Sequence, residues 1–80
     1  MILSDVITLS DGRVVYLLSS DEEPVAHVGD ILIDCKGNRS VITGVGEATK
    51  CFGIRYNFSL MLDGKAERGR ANILIRETQG

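Results

Sequence analysis

Residues 54–62 read IRYNFSLML, a run in which apolar and polar side chains alternate. A period of two residues is typical of a β-strand that buries one face and exposes the other. The set expected to face the core is Ile54, Tyr56, Phe58, Leu60 and Leu62. The set expected to face outward is Arg55, Asn57, Ser59 and Met61. This is the clearest strand in the chain, and the other elements are placed relative to it.

The dipeptide Asp11-Gly12 is a turn signal between two runs rich in β-branched and aliphatic residues. Asp-Gly favours a two-residue hairpin loop of type I′, because both central residues of that turn need a positive φ. A two-residue loop at this point predicts that Ile7 lies opposite Tyr16 in an apolar face of the hairpin. The N-terminal hairpin is expected to span residues 3–19.

A second hairpin is predicted in residues 28–47, which read VGDILIDCKGNRSVITGVGE. A short apolar strand leads into a polar turn at residues 36–39, and a second strand returns from it. On the first of these strands we expect Ile31 and Ile33 to point toward the core and Leu32 to point outward.

Glycines near the end of this hairpin bear on both structure and chemistry. The segment GVGEATKC, residues 44–51, contains a lysine after two glycines. It lacks the G-x4-G-K-[ST] spacing and the following helix with which a P-loop binds phosphate. Gly44 and Gly46 therefore predict a strand end or a β-bulge.

The whole chain shows short strands separated by turns at near-regular intervals, and no segment shows the 3.6-residue apolar period of a helix. This pattern predicts an all-β fold, a small barrel of about five to six short antiparallel strands. A barrel is favoured over a single open sheet because closure covers apolar faces and removes exposed edges. The length of 80 residues predicts a single domain, residues 1–80.

The order of features in residues 25–77 resembles an SH3-like barrel. Such barrels often open with a Gly-Asp pair and an alternating strand, as in residues 29–33 (GDILI), and continue with a hairpin and a longer strand. A short polar turn and a final strand at residues 71–76 complete the resemblance, to which the N-terminal hairpin is an addition. KOW-type modules and bacterial and phage accessory proteins are similar in this way, so a fold is implied but no single function. The absence of Trp makes a proline-peptide groove unexpected.

Composition is that of a soluble globular protein, with 44% hydrophobic and 25% charged residues and a net charge of −2. The charge is unevenly placed along the chain. Residues 1–34 hold seven acids and one base, a net charge of −6, whereas residues 35–80 hold eight bases and four acids, a net charge of +4. Such asymmetry is typical of a bipolar surface, or of neighbouring strands whose charges pair.

Catalytic and metal-binding signals are weak. His27 is the single histidine, and Cys35 and Cys51 lack the close pairing of a zinc site. Both cysteines are expected to be reduced thiols. Asp30 and Asp34 are expected to be solvated acids without an acid–base role. We therefore expect no enzyme activity, no cofactor and no metal.

Apolar residues on the faces opposite the main stripes indicate a contact function. They are Val6, Val15, Leu17, Leu32 and Met61. A barrel of this size is not expected to cover both faces of its strands, so these residues predict a protein-contact or self-association surface. The alternative is that they form the second wall of a flattened barrel.

Basic residues of the C-terminal half support an alternative function, RNA or DNA binding. The set is Arg55, Lys65, Arg68 and Arg70, with Arg76 near the end of the chain. Gathered on one face, they would contact phosphates while Phe52 or Tyr56 stacks on bases. The acidic pI of about 5.2 opposes this function, because nucleic-acid modules are usually basic.

No apolar run approaches the roughly 18 residues that cross a bilayer, and the first residues lack the pattern of a signal peptide. The sequence therefore predicts a cytoplasmic protein without membrane association. The leading hypothesis is a non-enzymatic small β-barrel that acts by protein–protein contact, either with a different protein or with itself. It would be an adaptor, inhibitor or structural accessory protein of a bacterium or phage.

Overall fold

The computed structural model describes residues 1–75, which form eight β-strands and no helix. The strands are β1 (Ile2–Thr8), β2 (Val14–Ser20), β3 (Ile31–Ile33), β4 (Arg39–Val45), β5 (Thr49–Cys51), β6 (Arg55–Leu62), β7 (Gly69–Arg70) and β8 (Asn72–Leu74). The predicted all-β class is confirmed. Short interruptions divide β4 from β5 and β7 from β8, so the strands outnumber the expected five to six. The last residues of the predicted core, 76 and 77, lie outside the described residues.

The strands pair antiparallel in the order β7-β1-β2-β6-β4-β3-β8, and β5 also pairs with β6. Only Ala71 separates β7 from β8, so one short segment bonds to both ends of the sheet, through β1 and through β3. The Ala71 N–H donates to the Met1 carbonyl oxygen at 3.1 Å. The sheet is thereby curled into the nearly closed small barrel that the strand pattern predicts.

The barrel core is mainly aliphatic. Its buried residues are Leu3, Tyr16, Leu18, Leu32, Ile42, Phe58, Leu60 and Ala71. The hydroxyl of Tyr16 donates to the Gly64 carbonyl oxygen at 3.1 Å, so burial of the phenol leaves its polar atom paired. On β6 the predicted apolar stripe is confirmed at Phe58 and Leu60, whereas Ile54 precedes the strand and is 71% exposed.

The turn between β1 and β2 differs from the predicted two-residue loop. Gly12 donates its N–H to the Leu9 carbonyl oxygen at 3.0 Å, and the Leu9 N–H donates to the Arg13 carbonyl oxygen at 2.7 Å. Gly12 has a φ of 90°. This geometry is a three-residue loop that ends in a G1 bulge, in which only the glycine needs a positive φ.

The longer loop changes the register of β1 against β2. Ile7 lies opposite Val15, and Val6 lies opposite Tyr16, so the predicted pairing of Ile7 with Tyr16 is wrong. A shift of one residue exchanges the two faces of a strand. Val6 therefore packs partly buried against the core, and Ile7 lies on the outer face with 41% of its surface exposed.

The predicted orientation of β3 is also wrong. Leu32 is 1% exposed and belongs to the core, whereas Ile31 and Ile33 are half-buried. Ile31 and Ile33 on one face of β3 and Leu32 on the other are all apolar, so alternation alone does not select the inner face. Asp34 follows Leu32 on the same side and finds hydrogen-bond donors there, which favours the observed orientation.

The predicted bulge at the end of β4 is confirmed. The register against β6 shifts between Ile42 and Gly44, and a Cβ on Gly44 would lie 3.4 Å from the Met61 side chain. Two residues further on, a Cβ on Gly46 would overlap the Ser59 hydroxyl. The two glycines let the chain pass close over β6 as it leaves β4 and bends into β5.

Candidate protein-contact surface

The outer side of strands β1, β2 and β6 carries a group of apolar side chains. We refer to Ile7, Val15, Leu17 and Met61 as the outer apolar face. Ile7 pairs with Val15 across β1 and β2, and Leu17 pairs with Ser59 across β2 and β6. Met61 lies two residues beyond Ser59 and so shares its face. Ile7 is exposed, and the other three are half-buried.

Three of the five predicted contact residues, those on β2 and β6, lie on the outer apolar face. The other two, Val6 and Leu32, lie on the inner side of the barrel, and their predicted outward position is wrong. The loop type before β2 accounts for the reversal at Val6, and the burial of Asp34, which shares a face with Leu32, accounts for the reversal at Leu32. Ile7 takes the place that was expected for Val6.

A shallow groove borders the outer apolar face. It has a volume of about 470 Å³ and involves β1, β2, β5 and β6. Residues in its lining include Ser4, Leu17, Glu47, Thr49, Asn57 and Ser59. Ser4 falls at the register shift of β1, and its hydroxyl donates to the Leu17 carbonyl oxygen at 3.2 Å. We call this feature the outer groove.

The turn between β5 and β6 projects two exposed apolar side chains, Phe52 (97% exposed) and Ile54. The Ile54 N–H donates to the Cys51 carbonyl oxygen at 3.2 Å, and φ is 55° at Phe52 and 68° at Gly53. Two central residues with positive φ are typical of a type I′ turn, which favours Asn, Asp or Gly at both. Phe52 is therefore strained as well as exposed. We call residues 51–54 the hairpin tip.

Replacing Phe52 with asparagine is expected to stabilise the isolated protein. Asparagine tolerates the left-handed backbone better than phenylalanine, so we expect a gain of about 1 kcal/mol, or roughly 4–8 °C in Tm. Calorimetry of dilute protein measures the change. Phe52→Ala is the matched control, because it also removes the ring but, unlike asparagine, alanine does not favour a positive φ. Equal melting temperatures for the two variants would contradict the inferred backbone strain at Phe52.

The base of the hairpin tip is basic. Arg55 Nε lies 3.0 Å from Asp21 Oδ1, and Lys50 Nζ lies 5.5 Å from the centroid of the Tyr56 ring. A cation over an aromatic ring is attracted by the negative face of the ring. The hairpin thus combines an apolar end with cationic side chains whose positions are restrained by these contacts.

A small hollow under the hairpin tip connects it with the outer groove. The hollow has a volume of about 270 Å³ and is lined by Cys51, Phe52, Ile54, Arg55 and Asn57. Asn57 also lines the outer groove, and its amide donates to Cys51 Sγ at 3.1 Å. Tip and groove therefore form one continuous outer surface.

The hairpin tip is the part of this surface that sequence reasoning missed. The sequence predicts a role for Phe52 only as a base-stacking residue in the nucleic-acid alternative, and it places Ile54 in the buried stripe of β6. The signal that identifies the tip is a pair of apolar residues on both sides of Gly53 in a short connection between strands. Turns with a glycine usually carry polar neighbours.

The four predicted nucleic-acid residues lie in two places. Arg55 and Arg70 line a polar groove of about 430 Å³. Arg68 instead pairs with a carboxylate of β1, with an N–O distance of 3.2 Å, and Lys65 lies in the connection between β6 and β7. The fold therefore brings two of the four together. Arg76 lies outside the described residues.

Two acids that were predicted to be solvated are buried. Asp30 is 4% exposed and Asp34 is 5% exposed, so that prediction is wrong. Asp30 Oδ2 accepts the backbone N–H of His27 at 3.0 Å, and the Asp30 carbonyl oxygen accepts the N–H of Ile42 at 2.8 Å. These contacts hold the loop before β3 against β4. The ring of His27 is mostly exposed.

Asp34 connects the β3–β4 turn with the segment before β7. Its Oδ1 accepts the N–H groups of Lys36 and Asn38, and its Oδ2 accepts the Asn38 amide and the Glu67 N–H, each at 2.9 Å. Burial opposes ionisation, but hydrogen bonds from the Asn38 side chain and then from the three backbone N–H groups outweigh it. They lower the pKa of Asp34 to about 2. The arrangement is that of a structural carboxylate.

Within residues 1–75, no three His, Cys, Asp or Glu side chains are grouped so that they could hold a metal ion. Cys35 and Cys51 are free. Cys35 lies in the β3–β4 turn rather than on a strand, and its thiol donates to the Arg68 carbonyl oxygen at 3.2 Å. Over the same residues, no helix has the length and apolar character needed to cross a membrane.

Comparison of the chain with protein-family models, with curated proteins and with solved structures finds no match. No functional residue is therefore carried over from a relative. The outer apolar face, the outer groove and the hairpin tip are the features from which a function can be inferred.

Proposed function

We propose that this protein is a non-enzymatic SH3-like barrel that acts by protein–protein contact in the cytoplasm. It would serve as an adaptor, inhibitor or structural accessory protein of a bacterium or phage, with the outer apolar face as the contact. The nearly closed small barrel is compatible with an SH3-like module.

The observation that carries the proposal is the apolar character of the outward positions on β2. An antiparallel sheet that faces water on one side normally alternates apolar inward and polar outward residues. Two of the three outward residues of β2 are instead apolar, Val15 and Leu17, while the third is Ser19. Ile7 and Met61 extend this apolar surface on the neighbouring strands. A protein partner that covers them would remove this apolar surface from water.

The surroundings of the candidate acid–base groups favour a binding role over a catalytic one. Asp34 is held by the hydrogen bonds described above, and Asp30 accepts the N–H of His27. Both carboxylates thus stabilise loops. A general acid or base must instead present its proton-carrying atom to a substrate.

Site-specific photo-crosslinking in producing cells tests the proposed contact. A photoreactive phenylalanine analogue at Leu17 is expected to give a discrete protein adduct, because that position lies within the outer apolar face. The matched control carries the label at Lys36, an exposed residue of the β3–β4 turn, where we expect little or no adduct. Equal yields at the two positions, or no adduct at Leu17, would contradict the proposal.

RNA or DNA binding by a KOW-like surface is the second candidate, favoured by the position of Arg55 and Arg70 in one polar groove. Asp21 pairs with Arg55 and weakens its attraction for phosphate. Fluorescence polarisation with single-stranded RNA and DNA at about 50 mM salt tests this candidate. Binding that Arg70→Glu abolishes and Lys36→Glu preserves would support it, and absence of binding would remove it.

A further inference from the structure

We propose that the polar groove lined by Arg55 and Arg70 binds the phosphate group of a small phosphomonoester. The groove includes Ile2, at the opposite end of β1 from Ile7 and the outer apolar face. The inference therefore goes beyond the proposed contact function and does not depend on it. It uses the groove of the second candidate function, but assigns that groove to a single phosphate group instead of a nucleic-acid strand.

Arg70 enters the groove through the pairing of β7 with β1. Ile2 pairs with Arg70 on one side and with Ser19 on the other, and all three residues line the groove. Residues that pair directly across antiparallel strands share a face of the sheet. The guanidinium group of Arg70 and the hydroxyl of Ser19 therefore stand on one face, with Ile2 between them.

Arg55 reaches the groove from β6. Its Nε lies 3.0 Å from Asp21 Oδ1, and Asp21 directly follows β2, the strand between β6 and β1. The ion pair therefore directs the Arg55 side chain across the end of β2, toward the side of the groove that holds Arg70. The hydrogen bond engages Nε, and the two terminal nitrogens remain as a fork for an oxyanion.

The charge of the lining suits one anionic group. Arg70 is exposed, and within residues 1–75 no carboxylate lies within ion-pair distance of it. Its positive charge is therefore available to a ligand. Asp21 offsets part of the charge of Arg55, but the Asp21 side chain is 79% exposed, so water and salt screen it. Two guanidinium groups and one carboxylate give the groove a net positive charge.

Neutral donors complete the groove. Ser19, Ser20 and Asn72 belong to the lining. Ser20 Oγ accepts the Glu22 N–H at 3.3 Å, and its own O–H stays available as a donor. A planar carboxylate is satisfied by a single arginine fork, whereas the tetrahedral oxygens of a phosphate accept from several directions. Donors on both sides of the groove therefore favour phosphate.

The surroundings disfavour a nucleic-acid strand as the occupant. Successive phosphates of a strand need a track of cations. Arg68 is instead paired with Asp5 at 3.2 Å, and the exposed Glu22 and Glu23 follow Asp21 directly. These carboxylates repel a polyanion that extends beyond the groove. A ligand with one phosphate avoids this repulsion.

The groove is larger than the phosphate group itself. Its volume of about 430 Å³ falls within the range of pockets for small ligands. The remaining space borders Met1 and Ile2, which are half-buried apolar residues. The expected ligand is therefore a small phosphomonoester whose remainder is uncharged, and whose carbon atoms contact these two side chains.

A titration followed by amide NMR spectra tests the site, with inorganic phosphate and ribose 5-phosphate as probes in about 150 mM sodium chloride. Saturable shifts are expected at residues 19–21, 55 and 70–72, with millimolar dissociation constants and tighter binding of the phosphomonoester. Arg70→Gln and Arg55→Gln should each weaken binding about tenfold, because each removes a charged donor. Arg39→Gln is the matched control, since Arg39 is an exposed arginine of β4 outside the groove, and should leave binding unchanged.

The NMR spectrum of each variant shows whether the barrel is folded. The absence of saturable shifts up to about 50 mM phosphate would overturn the site, and so would shifts that sodium chloride reproduces at matched ionic strength. Equal weakening by Arg39→Gln would show only a general effect of charge. An oligonucleotide without terminal phosphates should bind no more tightly than inorganic phosphate. If it binds about a hundredfold more tightly through Arg55 and Arg70, the groove is a nucleic-acid surface and the small-ligand assignment is wrong.

Discussion

Replacing Leu32 with alanine is expected to lower the free energy of unfolding by about 3 kcal/mol. Leu32 is almost fully buried in the barrel core. Its truncation removes apolar surface that folding would bury, and it leaves a cavity. Small domains have little stability in reserve, and Tm should fall by roughly 12–24 °C. Urea unfolding followed by circular dichroism measures the loss.

Leu17→Ala is the matched control for Leu32→Ala, because it removes the same atoms from a different environment. Leu17 is half-buried on the outer apolar face, and its truncation should cost about 1 kcal/mol or less in the free energy of unfolding. The difference between the two variants measures the effect of burial. Comparable losses in the free energy of unfolding would contradict the inward orientation of Leu32 on β3.

Asp34→Asn is expected to lower Tm by roughly 10 °C at neutral pH. Asparagine has the shape of aspartate but presents an NH2 donor at one of the two acceptor positions. Asp34 accepts from the Asn38 amide and from the Glu67 N–H at one oxygen, and from two backbone N–H groups at the other. Either orientation of the amide therefore leaves donors without an acceptor, and the link between the β3–β4 turn and the segment before β7 is weakened.

The acid stability of the wild type follows from the same carboxyl. Its pKa is lowered from the ordinary value of 3.8 to about 2 in the folded protein, so the folded state binds the proton less tightly than the unfolded state. The contribution of Asp34 to stability is therefore complete above the unfolded pKa and is lost as pH falls toward 2. Asp34→Asn removes this titration. Between about pH 4 and 2, Tm of the wild type should fall more steeply than Tm of the variant.

Asp11→Asn is the control for general effects of removing a carboxyl. Asp11 lies in the exposed β1–β2 turn and accepts the N–H of Arg13 at 3.0 Å, so we expect a small change in Tm and a pH profile close to that of the wild type. Calorimetry of the three proteins across this pH range provides the comparison. Parallel profiles for Asp34→Asn and Asp11→Asn would show that the buried carboxylate is not the group responsible.

Short-range patterns in the sequence predict most of the strands and turns. Alternation identifies β6 because one of its faces is apolar and the other is mainly polar. Gly44 predicts the bulge at the end of β4, because a residue without a side chain permits close approach to Met61. These features depend on side-chain polarity and backbone freedom within a few residues, which the sequence displays directly.

The inward faces of β1 and β3 were not predictable in this way. Both faces of each strand carry apolar residues, so a change of one residue in register reverses the assignment without violating the pattern. The loop at Gly12 sets the register of β1, and the contact of Asp34 with Glu67, 33 residues away, favours the orientation of β3. The second interaction is distant in sequence, whereas the first is local but was mispredicted, because Asp-Gly is compatible with a three-residue loop as well as with a two-residue loop.

The chain's alternating apolar residues and its glycine turns are sufficient to establish short antiparallel strands, because strand pleating and positive-φ turns are local properties of the backbone. The division between core and outer apolar face depends instead on closure of the barrel through Ala71, since a residue is buried only when other strands cover it. Closure places Leu32 inside and leaves Leu17 outside. It also leaves Phe52 at the end of a hairpin, where no part of residues 1–75 covers it.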